Sequence, residues 1–103
     1  MAIPDYQTLM LPLLRFASDK DEHSLQEAIN TLAKQFSLSE NELQEFLPSG
    51  KQTIFHNRVG WARTYLSKAG LLTPTKRGFF QISDKGLDIL SQNPERIDNR
   101  TLK

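Results

Sequence analysis

The chain has 103 residues, of which 38% are hydrophobic and 24% charged, with a net charge of +1 and no cysteine. That length suits one domain with a modest core, and the composition is that of an ordinary globular protein. Disulfide frameworks, thiol nucleophiles and thiolate metal sites are excluded, and no stretch approaches the ~20 apolar residues of a membrane span.

Met1-Ala2-Ile3-Pro4-Asp5 lacks the basic and apolar regions of a secretory signal, so a cytoplasmic location is expected. The first apolar segment, residues 6–17, has Asp5 as an N-cap candidate. Leu9, Leu13 and Phe16 share one face at helical spacing, and Pro12 inside the pattern predicts a kink or a short first turn before it. Ser24-Leu25-Gln26-Glu27 reads as a capping box opening a second helix, with Leu25, Ala28, Ile29, Leu32, Ala33 and Phe36 on one stripe. Ser39 and Glu42 form another capping box for a third helix, which Pro48-Ser49-Gly50 is expected to end.

A fourth helix is predicted over residues 53–69, with Gly70 as its left-handed terminator. Phe55, Val59, Ala62, Leu66 and Ala69 face the core, and the opposite arc carries Asn57, Gly60, Thr64 and Ser67 with His56, Arg63 and Lys68 at its flanks. Phe36, Phe46 and Phe80 join Phe55 in the expected core, as do Trp61 and Tyr65 at its edge. Arg58 is expected to pack its stem and extend its head to solvent. Beyond Gly70 the period changes to that of a hairpin, with strands near 71–73 and 79–82 around Lys76-Arg77-Gly78. Ser83 caps a last helix through residue 90, and from Ser91 onward a polar, frayed tail or linker is expected. The predicted architecture is mainly α with a small β-hairpin: a winged helix-turn-helix domain over residues 3–90, followed by a tail at 91–103.

Charge is divided unevenly along this chain. Residues 1–50 hold three basic side chains against eight acidic ones, whereas residues 51–103 hold ten against four. From Lys51 to Ser83 no residue is acidic, while Lys51, Arg58, Arg63, Lys68, Lys76 and Arg77 all fall there. Such polarity is the electrostatic footprint of a nucleic-acid-binding face. A major groove about 12 Å wide admits one helix, provided that helix presents a polar, closely approaching side. Gly60 costs helix stability relative to alanine and in exchange lets the backbone come near base edges or phosphate. Asn57 matches the bidentate pattern for adenine, Arg63 has the reach for guanine or phosphate, and Thr64, Ser67 and Lys68 suit phosphate. Lys76, Arg77 and Gly78 at the tip of the 75–79 wing suit the backbone or a narrow minor groove.

The run Asn57-Arg58-Val59-Gly60-Trp61-Ala62-Arg63-Thr64-Tyr65-Leu66-Ser67-Lys68-Ala69-Gly70-Leu71, followed by Lys76-Arg77-Gly78, resembles the N-terminal domain of the Mrr restriction endonuclease family. Ile3-Pro4-Asp5-Tyr6, Leu11-Pro12-Leu13-Leu14-Arg15 and Ser83-Asp84-Lys85-Gly86 extend that resemblance over roughly residues 3–90. It implies a bacterial domain that recognises double-stranded DNA, methylated DNA in particular, for a separate C-terminal nuclease domain using a divalent metal. This domain itself is expected to take no cofactor or metal, and residues 98–103 read as the start of an interdomain linker. An oligomeric assembly is compatible with the sequence. No Ser-His-Asp arrangement, glycine-rich phosphate loop or lysine-flanked carboxylate pair is legible, so no catalytic residue is assigned. Two other readings fit the same pattern: a stand-alone winged-helix transcription regulator, and a winged helix serving protein–protein interaction.

Overall fold

Asp5 starts the first helix as its spacing predicts, its Oδ1 accepting from the Thr8 amide at 2.7 Å. In the computed structural model, which describes residues 3–98 and Arg100, the order is α1 (Tyr6–Phe16), a 3₁₀ turn (Ala17–Asp19), β1 (His23–Ser24), α2 (Leu25–Gln35), α3 (Glu40–Leu43), α4 (Ile54–Lys68), β2 (Leu72–Lys76), β3 (Phe79–Ile82) and α5 (Asp84–Ser91). This is a mainly α, winged-helix-like arrangement. No helix among the described residues is long and apolar enough to cross a membrane.

The α1 helix runs uninterrupted through Pro12. Proline withholds one amide from the helical ladder, but Leu9, Met10, Leu11, Leu13 and Leu14 are all buried, and packing of this kind supplies most helical stability in a folded protein. Both capping boxes form. The Glu27 amide donates to Ser24 Oγ at 3.1 Å while the Ser24 amide donates to Glu27 Oε1 at 3.3 Å, and Ser39 with Glu42 repeats the pattern at 3.1 and 2.8 Å.

The third helix is shorter than its spacing suggests, closing at Leu43 rather than near Pro48. Leu47 precedes a proline, a position that disfavours helical backbone, and the chain turns back on itself instead. The Leu47 amide donates to the Gln52 carbonyl at 2.9 Å and the Ile54 amide to the Glu45 carbonyl at 2.8 Å, while Phe46 and Thr53 form an antiparallel bridge. Phe46 is therefore not a core residue: extended backbone turns its ring outward, and it is 56% exposed.

The hairpin gains a third strand that the sequence did not announce. The sheet order is β1-β3-β2, all antiparallel, with His23 opposite Phe80 and Ser24 opposite Phe79. Two residues are too few to display strand periodicity. Pro74, which donates no amide, lies in the edge strand β2, where a missing donor is tolerated. The core is one cluster in which Leu9, Leu13, Leu14 and Leu32 meet Phe55, Val59, Leu66, Leu72 and Phe80, and α1 packs chiefly on α4.

Two features close the C-terminal side. Ser83 Oγ caps α5 by accepting from the Gly86 amide at 3.0 Å, and Gly86 lies so near β2 and β3 that a Cβ there would fall 2.4 Å from the Leu71 carbonyl oxygen and 2.8 Å from Ile82 Cγ1. Beyond α5 the chain is not the frayed tail expected from its composition. Arg15 donates to the Pro94 carbonyl at 3.5 Å, and Ile97 is fully buried in the core. The linker expected at 98–103 falls largely outside the described residues.

Candidate nucleic-acid interface

The sequence between Thr53 and Leu71 is punctuated at both ends. Thr53 Oγ1 accepts from the His56 amide at 3.2 Å. At the far end Gly70 takes φ +82°, its amide donates to the Ser67 carbonyl at 3.0 Å, and the Leu71 amide reaches the Leu66 carbonyl at 2.9 Å, which is a Schellman stop. With its ends fixed, α4 buries Phe55, Val59, Ala62 and Leu66 and turns its other side to solvent.

That side borders two grooves. One, of about 470 Å³, lies between the second half of α4 and the hairpin, with Arg63, Thr64, Ser67 and Lys68 on one wall and Lys76, Arg77 and Gly78 on the other. The second, of about 420 Å³, crosses the middle of α4, where Asn57, Gly60 and Trp61 meet Gln52 and Leu25. Arg63, Thr64 and Lys68 line both, so the two grooves adjoin along α4. Every one of the nine residues singled out from the sequence lines at least one of them, and none of the lining side chains is acidic.

The cations differ in how committed they are. Arg58 is drawn away from solvent: its Nη1 donates to the Ile3 carbonyl at 2.7 Å and the Pro4 carbonyl at 3.3 Å, so it ties the N-terminal segment to α4 rather than extending its head to water. Lys76 is partly engaged, with Nζ 3.6 Å from Glu22 Oε1 and 4.4 Å from the centre of the Phe79 ring. Among the described residues the side chains of Arg63, Lys68 and Arg77 have no hydrogen-bond or ion-pair partner. They are the basic groups of the two grooves left wholly free.

The polar residues of α4 are similarly sorted. Asn57 Nδ2 donates to Gln52 Oε1 at 3.2 Å, which fixes the Asn57 amide and brings Gln52 into the same groove. Thr64 Oγ1 donates back to the Gly60 carbonyl at 3.0 Å, leaving its oxygen as an acceptor. Nothing lies within 4 Å of the Cβ position of Gly60, so no close contact within this chain requires a glycine there. Gln52 was not singled out from the sequence, because its role depends on the loop that precedes α4.

Trp61 corrects a second core assignment. It is 48% exposed, while Tyr65 is partly buried as expected and stacks on Tyr6 with ring centres 5.1 Å apart. The Trp61 and Tyr65 rings lie 6.0 Å apart. Tyr6 and Tyr65 both pack against the edge of the core, and Trp61 does not.

The hairpin is held in place from behind. The Leu25 amide donates to the Gly78 carbonyl at 3.0 Å, β1 pairs with β3, and Gln81 donates to the Lys20 carbonyl at 2.8 Å. At the root of β1, His23 bridges two carboxylates, with Nε2 at 2.8 Å from Asp19 and Nδ1 at 3.1 Å from Glu27. Burial lowers the affinity of His23 for a proton, but the hydrogen bonds to Asp19 and Glu27 outweigh it and raise its pKa above the ordinary 6.5. The same contact with His23 holds the Asp19 and Glu27 carboxyls below their usual range. No group of three or more His, Asp or Glu suited to a metal ion occurs among the described residues.

The family model of the Mrr N-terminal domain matches residues 6–92. The chain belongs to this family. The match takes in α4 and the whole hairpin, as well as the helices that position them. Over 96 residues the chain is 28% identical to the type IV methyl-directed restriction enzyme EcoKMrr of Escherichia coli K12. That stretch is 92% of this chain and 31% of EcoKMrr, so this Mrr N-terminal domain spans under a third of its relative's length. No solved structure matches the chain.

Proposed function

We propose that the chain is the DNA-recognition domain of a type IV restriction system, binding duplex DNA with α4 in the major groove and the hairpin against the adjacent backbone. One observation carries the reading: among the described residues Arg63, Lys68 and Arg77 stand unpaired along a trough of two adjoining grooves lined by no acidic side chain. Phosphates are attracted to such a trough, and the polar amides of Gln52 and Asn57 at its floor suit base edges. EcoKMrr is by its name methyl-directed and a restriction enzyme. On that basis the DNA recognised is methylated DNA, and cutting belongs to a metal-dependent nuclease domain outside these residues.

The test is binding of the purified chain to a labelled duplex across a salt series. Neutralising three phosphates gives log K against log salt a slope of about −2.7, and replacing Arg63, Lys68 and Arg77 together by alanine removes that slope. Duplex binding that is absent, or indifferent to salt, would remove the DNA reading and leave a protein-interaction module.

A further inference from the structure

We propose that Trp61 reads the C5-methyl group of a pyrimidine, the substituent that distinguishes thymine from uracil and 5-methylcytosine from cytosine. This inference rests on the DNA reading above and deepens it, by naming the chemical group that one part of the trough recognises.

Trp61 is the chain's single tryptophan and, half exposed, it lies among polar and basic neighbours in the groove with Asn57, Gly60, Arg63, Thr64 and Lys68. It follows Asn57 by four residues, so the two side chains are neighbours on the helix surface. Gly60, which also lines this groove, presents no side chain to it. The ring is braced from behind: Tyr65 lies 6.0 Å away and itself stacks on Tyr6. Half of the indole stays exposed, and it lines the groove.

What such a surface can recognise follows from what the major groove offers. Base edges there present hydrogen-bond donors and acceptors, which suit the amides of Asn57 and Gln52, and one apolar group, the pyrimidine C5-methyl. Charge selects the occupant. A trough walled by Arg63 and Lys68 without an acidic side chain favours a polyanion over an ordinary apolar protein face, and the apolar group a duplex presents to a helix is that methyl.

The experiment uses three pools of duplexes with the same randomised sequence: unmodified, with 5-methylcytosine replacing cytosine, and with uracil replacing thymine. A buried methyl is worth about a fourfold change in affinity. The expected order is the 5-methylcytosine pool tightest, the unmodified pool, whose thymines already carry the methyl, within about twofold of it, and the uracil pool, which has none, about fourfold weaker. Tryptophan emission should change saturably with bound DNA, since one residue supplies all of it. Trp61→Ala should bring the three affinities together while keeping the salt slope of the parent, and Trp61→Phe should retain part of the order. An equal loss on all three pools in Trp61→Ala, or unchanged emission from DNA-bound parent, overturns the proposal while the DNA reading stands. Failure of the parent to bind any pool in a salt-dependent way overturns both.

Discussion

The acidic first half of the chain and the basic segment from Lys51 to Ser83 use their charges differently. In the first half, carboxylates work inside the fold: Asp5, Glu27 and Glu42 serve the starts of helices, Asp19 grips His23, and Glu22 meets Lys76. In the second, Arg63, Lys68 and Arg77 have no side-chain partner among the described residues. A charge already satisfied at home contributes stability and little attraction for a ligand. One left unsatisfied at a trough contributes the reverse. The near-neutral net charge conceals this division of labour.

The division depends on α5 holding the hairpin in register with α4, and the most severe way to break it is at Gly86. A methyl group there meets backbone at a distance that side chains do not adopt, so Gly86→Ala should cost about 3 kcal/mol of stability by overpacking, read as a fall in the thermal midpoint. An unchanged midpoint would mean that α5 can step away from the sheet freely. Next in size is base discrimination. Asn57→Ala should narrow the spread of affinities among duplex sequences by roughly 1–3 kcal/mol, and Gln52→Ala by less, since it frees the Asn57 amide without deleting it. An unaltered ranking of sequences in Asn57→Ala would remove that residue from base reading.

The contrast between free and committed cations gives a sharper test. Arg77→Ala should flatten the salt dependence of binding by about 0.9, whereas Lys76→Ala should change it less, because Glu22 and the Phe79 ring already hold that ammonium. Equal slopes for the two variants would show that the Lys76 contacts yield to DNA. The smallest effect concerns pH. His23 is raised, so its contribution to stability is complete below 6.5 and is lost as pH climbs through its folded value. Asp19 and Glu27 are lowered, and their share is lost as acid takes the solution below about 4. Thermal midpoints should thus fall modestly from pH 6 towards pH 8 in the parent, and His23→Gln should remove that fall.

Much of the frame was legible because its signals are local. Ser24 with Glu27, Ser39 with Glu42, Thr53 and Gly70 mark helix ends by short-range chemistry, and these boundaries appear close to where they were read. The trough was legible through charge and the helical arc of α4, which place Asn57, Gly60, Arg63, Thr64, Ser67 and Lys68 on one side. What escaped depends on partners distant in sequence. Strand β1 exists through its pairing with Phe79 and Phe80, Arg58 is satisfied by carbonyls more than fifty residues away, and the aromatic partner of Tyr65 at the core edge is the distant Tyr6, with Trp61 left exposed. Phe46 misled for a different reason: its spacing fits a helix that Pro48 does not allow to continue.

Ile97 gives the domain a latch. The six residues before it are mostly polar and carry little apolar area of their own, so the hold on this stretch is concentrated at its far end, where one aliphatic side chain fits a socket with no exposed surface. Besides it, the segment is tied down by the exposed Arg15 hydrogen bond to the Pro94 carbonyl, so once the isoleucine leaves, no other buried side chain between Ser91 and Arg96 resists the rest from following. Trimming the chain at the last helical turn therefore takes a fully buried side chain out of the core and uncovers the apolar surface it seals.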